Sequence, residues 1–369
     1  MDYLCKKRIM NIEEFVCLPP KSLPESGSAF WQAPSNIALV KYWGKTGVQI
    51  PANPSLSFTL NACQTQTRVH FTLQESEKNF PEFEVYLDGV HAPAFSPKIK
   101  AFLGYAVALQ PFLKAYRLEI HTSNTFPHSS GIASSASGMA ALACCLMDME
   151  LQLFPHLSLK YFNRKTSILA RLGSGSAARS IEGGLILWGL HPEFKGSSDL
   201  YGIPFPGPVA PIFMDYRDTI LLVDKGEKSV SSTVGHGLMN GHPYAKARFN
   251  QANNNLLALG KILESGDVMA FVDLVETEAL SLHAMMQSST PGYLLMKPET
   301  LAIISQIRAF RNETGIPVCF TLDAGANVHV LYPKSVSEPV NAFIMEQLLK
   351  YCADGGYIQD CVGKGASKI

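Results

Sequence analysis

The sequence lacks an excess of charge of either sign: Lys+Arg and Asp+Glu number 31 each, and only 17% of residues are charged. Nucleic-acid grooves and anionic membrane surfaces both depend on surplus positive charge, so neither is an expected partner. A small phosphorylated ligand needs only a few local cations and stays compatible with this balance. No run of about 18 apolar residues occurs, which excludes a helical membrane span. The basic start, Met1 to Arg8, is not followed by the apolar stretch of a signal peptide. The eight cysteines form no C-x-x-C pair and are scattered along the chain. That argues against zinc and disulfide frameworks and for a reduced, cytoplasmic setting. Neither G-x-x-x-x-G-K-[ST] nor G-x-G-x-x-G is present, which disfavours P-loop and Rossmann nucleotide sites.

What is present is apolar mass. Hydrophobic residues make up 47% of 369 positions, enough for a sizeable core in about two domains. Residues 1–28 have tail composition, rich in turn formers around Pro19, Pro20, Pro24 and Gly27. Alternating polar and apolar residues predict strands at Ser55–Leu60, Thr67–Leu73, Phe83–Leu87 and Leu118–Thr122. Helical spacing runs from Met139, and a short helix is expected over Ser167–Arg171, stopping at Gly173. A strand over Asp218–Asp224 is followed by long helices at about 244–263, 268–286 and 297–312. A strand pair at 318–322 and 328–332 precedes a last helix at about 337–351. Strands and helices come in blocks, which predicts an α+β fold rather than a doubly wound sheet. The expected halves are 29–210 and 211–369.

Four segments could carry chemistry. Residues 124–138, with Gly131, Ser134, Ser135 and Ala136, form a Gly/Ser-rich loop that opens an apolar helix. Unpaired N–H groups and the dipole make such a start a phosphate cradle, or simply the small-residue cap of a buried helix. Residues 171–180 set Ser174, Gly175 and Ser176 beside Arg179, whose planar fork suits a carboxylate or phosphate; they also read as a helix stop with a solvated arginine. Asp323 stands alone at a strand end before Ala324-Gly325-Ala326-Asn327. It could be a base or could orient a hydroxyl, or it is part of an Asx-type hairpin turn. Asn36 leads through an apolar run to Lys41, Tyr42, Trp43, Gly44 and Lys45, where the lysines either meet a polyanion or snorkel from a surface strand.

Taken together and in this order, the four segments resemble the GHMP kinase superfamily, and within it the diphosphomevalonate decarboxylase branch. Lys-Tyr-Trp-Gly-Lys and Gly-Ser-Gly-Ser-x-x-Arg carry the likeness to that branch, and Lys228–Thr233 adds to it. The resemblance spans about Ala33 to Tyr332. It implies an α+β GHMP kinase fold of two α/β halves, the first ribosomal-protein-S5-like, flanking a deep cleft. It implies an ATP- and Mg²⁺-dependent enzyme that phosphorylates the C3 hydroxyl of mevalonate 5-diphosphate and then releases phosphate and CO2, giving isopentenyl diphosphate.

On that resemblance the catalytic residues are Asp323, Arg179, Lys41 and Ser176. The substrate is held by Asn36, Tyr42, Trp43, Gly44, Lys45, Ser174, Gly175, Ser176, Arg179 and Thr233. ATP lies on Gly131, Ser134, Ser135 and Ala136, and no side chain is assigned to the metal. A homodimer is implied as well. Some residues depart from the pattern. His128-Ser129-Ser130 replace small residues, Ile132 a Leu, Ala178 a Cys and Ala326 a Pro. No arginine stands near Asn240, where some bacterial members use one for the diphosphate. A relative acting on mevalonate 5-phosphate, a mevalonate 3-kinase and a non-catalytic sensor are the competing readings. His283 is expected to be a packing residue.

Overall fold

The structure is a computed structural model that describes residues 12–76, 78–127, 132–226, 230 and 232–369, the side chains of Ser232 and Thr233 excepted. In chain order the elements are β1 (Ser26–Val40), β2 (Lys45–Gly47), β3 (Ile50–Pro51), β4 (Ser55–Leu73), β5 (Glu82–Leu87), β6 (Val90–His91), α1 (Ser96–Leu109), β7 (Tyr116–Asn124), α2 (Ser134–Leu153), α3 (Leu159–Gly173), β8 (Leu185–Trp188), β9 (Ile203–Pro204), β10 (Tyr216–Leu221), α4 (Ser232–Gly237), α5 (Ala245–Ser265), α6 (Val268–Gln287), α7 (Pro298–Thr314), β11 (Cys319–Leu322), β12 (Val328–Pro333), α8 (Ser337–Phe343), β13 (Tyr357–Cys361) and β14 (Ser367–Lys368).

Two long strands organise the chain. β1 and β4 pair antiparallel over most of their lengths, with register shifts between Pro34 and Asn36 and between Ala38 and Val40. Pro34 has no N–H to give the ladder, so a break there is expected. The two expected strands at 55–60 and 67–73 are one continuous strand. Its first half is buried on both faces, where alternation predicts one wet face. The reason is that Ser55, Ser57 and Thr59 face protein: Ser55 accepts a bond from Arg179, and Thr59 donates to the Gly363 carbonyl at 2.8 Å.

The first sheet runs β14-β1-β4-β7-β5-β6, with β8 and β9 attached to the start of β4. Only β5 and β7 are parallel. The Asp88-Gly89 turn after β5 has both residues at positive φ, as a tight hairpin of that twist requires. α1, α2 and α3 cover one face through Phe102, Leu103, Leu118, Leu142 and Leu169. The second sheet, β11-β12-β10-β13, is antiparallel. α7 and α8 cover its outer face through Ile303, Ile307, Val340 and Phe343. Its inner face packs on α5, α6 and the buried ends of β1 and β4, through Ile37, Leu39, Phe58, Leu256 and Phe271.

Three expectations need adjusting. Residues 12–28 are not a detached tail: Phe15 and Cys17 are buried, Phe15 stacks on Tyr161 at 5.7 Å, and β1 begins at Ser26. The short helix at 167–171 is the end of α3, which starts at Leu159 with Ser158 as its cap. The last helix regularly ends at Phe343 and continues as a π turn and a 3₁₀ turn to Tyr351. The chain then returns to the first sheet, where β14 pairs with β1. The carboxylate of Asp360 ties the two sheets by accepting the N–H groups of Asn61, Ala62 and Cys63 at 2.7–2.8 Å.

Candidate active site

A cleft of about 470 Å³ opens between the two sheets. The end of β1, the start of α2, the loop after α3, α4, α6 and the turn after β11 all reach it. Ligand cavities in this size range accept a small cofactor or substrate.

Lys41 sits where β1 leaves the sheet. It is 1% exposed, and its Nζ has no hydrogen-bond partner among the described residues. Burial pushes its pKa down to about 8, while the carboxylates of Asp323 and Glu278 pull it up. Its backbone is clamped on both sides. The Lys41 N–H donates to Glu278 at 2.8 Å, and Asn53 donates to the Lys41 carbonyl at 2.9 Å. Glu278 itself is fully buried on α6 and also accepts from both Nη atoms of Arg248 and from Asn255. Buried charge tolerates such a place only when paired and fully bonded.

Arg179 is equally buried. Its Nη1 donates to Ser55 Oγ at 2.6 Å and its Nε to Asn36 Oδ1 at 3.3 Å, with the guanidinium over the Trp188 ring. Asn36 donates in turn to the Ser176 carbonyl at 3.2 Å and to Ser180 Oγ at 2.8 Å. One residue of β1 thus positions both the arginine and the serine loop. Burial lowers the Arg179 pKa to about 10, opposed by Asp323. At that value it stays cationic at neutral pH.

Asp323 follows β11 directly and lines the cleft. Its carbonyl accepts from Gly325 N–H at 2.8 Å and from His283 Nε2 at 3.1 Å. Burial holds His283 neutral, with its pKa down to about 4. The expected packing histidine is therefore the group that fixes the backbone of the acid.

Tyr42 and Trp43 bracket His236 of α4, at 4.2 and 4.5 Å between ring centroids. Gly175 leaves room for Tyr42: a Cβ there would lie 2.7 Å from the phenol oxygen. The Tyr42 hydroxyl is buried without a partner among the described residues, and burial raises its pKa. Gly44 has φ +101, and a Cβ would strike the Phe249 ring at 2.8 Å, so only glycine fits. Lys45 of β2 and Lys98 of α1 both line the cleft; burial lowers the pKa of each, and the charge of Lys45 lowers that of Lys98 further. Neither has an ion-pair partner among the described residues. Lys98 is exposed to solvent.

Ser134 and Ser135 lie at the first turn of α2, which no described side chain caps and whose preceding residue, Ala133, has φ +48. Ser135 Oγ meets Ser174 Oγ at 3.3 Å, joining the two expected loops. Beyond them the wall turns apolar: Val85, Leu87, Phe95, Ile99, Ile120, Met139 and Leu142 line it, with Thr65, Thr67 and Thr122 among them.

Of the residues singled out in the sequence, Asn36, Lys41, Tyr42, Trp43, Lys45, Ser134, Ser135, Ser174, Gly175, Ser176, Arg179 and Asp323 share this one cavity. Gly44 lies behind the wall, and its N–H is spent on His236. Ala136 is buried in the core, its N–H bonded to the Ala133 carbonyl at 2.7 Å. Gly131 lies outside the described residues, as does the side chain of Thr233. Sequence reasoning missed the apolar wall, Lys98, His236, and the Glu278–Arg248 clamp. Only the apolar wall had a signal, the alternation of β5 and β7, and alternation does not say which apolar side chains meet a ligand. Among the described residues no group of three or more His, Cys, Asp or Glu could hold a metal ion, and no helix is long and apolar enough to cross a membrane.

Known proteins resemble this chain over most of its length. Residues 33–198 match the diphosphomevalonate decarboxylase-like N-terminal domain, and residues 219–361 the mevalonate 5-diphosphate decarboxylase C-terminal domain. A diphosphomevalonate decarboxylase of Aspergillus fumigatus is 30% identical over 325 residues, covering 84% of this chain and 77% of its own. A structure of MDDEF in complex with MVAPP, AMPPCP and magnesium superposes with a TM-score of 0.79 at 29% identity, over 93% of this chain and 99% of that one. The mevalonate diphosphate decarboxylase from Enterococcus faecalis, in a structure concerned with mevalonate diphosphate-mediated ATP binding, gives 0.78 at 28% identity over 93% and 99%. The α+β architecture is that of these GHMP-fold relatives, and the chain belongs to the diphosphomevalonate decarboxylase family.

Proposed function

We propose that this chain uses ATP to convert mevalonate 5-diphosphate into isopentenyl diphosphate, ADP, phosphate and CO2. The observation that carries the proposal is the meeting of Asp323, Lys41 and Arg179 in one cavity. An acid and two cations there face each other across space for a ligand, and the lysine ammonium has no partner of its own among the described residues.

The residues suit the chemistry in sequence. A tertiary C3 hydroxyl is a hindered nucleophile, so placement and local charge carry much of the rate. Asp323 would accept the hydroxyl proton as the oxygen bonds to the γ-phosphoryl and ADP leaves. Lys41, poised near neutral pKa, would offset the charge gathered on that phosphoryl. When phosphate then departs from C3, the C1–C2 bond breaks, its electron pair forms the C2–C3 double bond, and C1 leaves as CO2. Asp323 faces the positive character at C3. Arg179, fixed by Ser55 and Asn36 and joined by Ser174 and Ser176, would hold the C1 carboxylate in line without protonating it. Tyr42 and Lys45 would hold the distal phosphates.

The apolar wall suits an adenine ring, and the start of α2 with Ser134 and Ser135 suits the nucleotide phosphates. Lys98 fits there as well. A Mg²⁺ brought with ATP would be held mainly by phosphate oxygens. Bound so, the ion would neutralise charge on the transferring phosphoryl.

The test is a panel assay with mevalonate, its 5-phosphate and its 5-diphosphate, measuring ADP and CO2 together. Equal ADP and CO2 from the 5-diphosphate alone is the expected result. ADP without CO2 would make the chain a kinase, and turnover only of the 5-phosphate would move it to the neighbouring decarboxylase. Further parts of the reading are a division of the chain near residues 210–211, supported by the two matched segments; a cytoplasmic location, supported by the free cysteines; and a homodimer, supported by the family resemblance and checked by light scattering.

A further inference from the structure

His236 is a cleft residue that the reaction scheme above does not use. It belongs to α4, it is buried, and it lines the cavity with Lys45. Its ring is wedged between Tyr42 and Trp43, so its orientation is set by packing on both faces. The backbone N–H of Gly44 donates to its Nδ1 at 2.9 Å. That bond fixes the tautomer: an imidazole that accepts at Nδ1 carries its proton on Nε2. Nε2 bonds no described residue, and the ring lines the cavity. With Nδ1 taken by the Gly44 backbone, Nε2 is the ring nitrogen left for a ligand in the cleft.

The ring is also held neutral. Burial, with the charges of Lys45 and Arg179, lowers its pKa to about 3, and only Asp323 works the other way. A neutral donor in this place differs from the two kinds of group around it. Lysine brings charge and mobile geometry, and the tyrosine hydroxyl can both donate and accept. A neutral imidazole N–H locked by stacking and by a backbone bond only donates, and in one direction. Such a donor selects an oxygen acceptor placed opposite it, and an anionic oxygen gives the strongest bond.

We infer that His236 is a specificity-determining residue, whose Nε2–H donates to the distal phosphate of the substrate beside Lys45 and so distinguishes a diphosphate from a monophosphate. The inference rests on the reading of the substrate given above, and its test separates the two. In place of an arginine near Asn240, this chain counts phosphates with a neutral donor on the preceding turn.

The full chain is titrated calorimetrically with mevalonate 5-diphosphate, mevalonate 5-phosphate and inorganic pyrophosphate, as the parent and as His236→Gln, His236→Asn and His236→Phe. Glutamine places an amide N–H near the position of Nε2. Asparagine places an acceptor near that of Nδ1 and keeps the Gly44 bond without reaching the cleft. The Gln variant should bind the diphosphate within about threefold of the parent. The Asn and Phe variants should bind it about ten- to hundredfold more weakly, as for the loss of a hydrogen bond to a charged group. Affinity for the 5-phosphate should change less than threefold throughout, and the KM for ATP should hold.

Equal diphosphate affinity in the Gln and Asn variants overturns the inference, because a structural role at Nδ1 would then explain everything. Parallel losses for both mevalonate phosphates overturn it too. Pyrophosphate reads the donor without the mevalonate chain. If the parent binds pyrophosphate but no mevalonate phosphate, the substrate reading fails, and weakening in Phe but not in Gln still upholds the donor. Thermal unfolding checks each variant, and His236→Met replaces any that does not fold.

Discussion

The two walls of the cleft are built on opposite plans. On one wall stand Lys41, Arg179, Asp323 and His236, each buried or cleft-lining and each immobilised by bonds behind it. Glu278 and Asn53 grip the Lys41 peptide, Ser55 and Asn36 grip Arg179, His283 holds Asp323, and Gly44 holds His236. On the other wall Val85, Leu87, Phe95, Ile99 and Leu142 offer shape and little else. Charge removed from water is costly, so it must be fixed and compensated before any ligand arrives. Apolar surface carries no such cost and can follow its ligand. The difference separates a wall where a change of one atom alters the chemistry from a wall where it alters only affinity.

The sharpest way to break this comparison is Asp323→Asn. Its shape is kept and its proton acceptor lost, so kcat should fall by about 10³-fold or more while both ligands still bind. Steady-state kinetics with calorimetric binding checks it, and near-normal kcat would remove the acid from the reaction. Arg179→Lys should cost about 10²-fold in kcat/KM for the mevalonate substrate, because an ammonium cannot keep the Ser55 and Asn36 bonds and a two-pronged carboxylate contact together. Unchanged kinetic constants would mean that charge alone is needed there.

A third prediction concerns pH. The Lys41 pKa of about 8 lies below the ordinary lysine value. The group is cationic below about pH 8 and neutral above it. If the cation is required, kcat/KM should be flat below that pH and fall toward tenfold per unit above it, a limb that reports the free enzyme. A profile flat to pH 10 would show either that Lys41 keeps its proton or that its charge is not used. The smallest effect belongs to the apolar wall. Phe95→Ala should raise the KM for ATP by about three- to tenfold, from lost apolar contact, and leave kcat and the substrate KM alone. A fall in kcat there would erase the distinction between the walls.

Much of the fixed wall was legible in the sequence, and the reason is local. Lys41-Tyr42-Trp43-Gly44-Lys45 and Ser174 to Arg179 are contiguous runs in which chemistry and backbone requirement sit side by side. Asp323 could be found because it stands alone at a strand end. What holds these groups was not legible. Glu278 lies 237 positions from Lys41, and Asn36 lies 143 from Arg179. No periodicity announces such a pairing. The apolar wall failed for another reason: Val85 and Ile120 read as ordinary inward strand residues, and only the open space beside them makes them ligand-facing. Among the elements, the block pattern gave the α+β class correctly. The continuous β4 escaped because Asn61 and Ala62 interrupt the alternation while the backbone of Asn61, Ala62 and Cys63 is carried through by Asp360.

The closing strand β14 has a consequence for synthesis. Its partner β1 leaves the ribosome more than three hundred residues earlier, since Trp31 lies opposite Lys368 and Gln32 opposite Ser367. Until Ser367 and Lys368 emerge, one edge of the first sheet is open to any other extended segment, including that of a neighbouring nascent chain. Emergence of β14, rather than of either half, is the event that covers this edge.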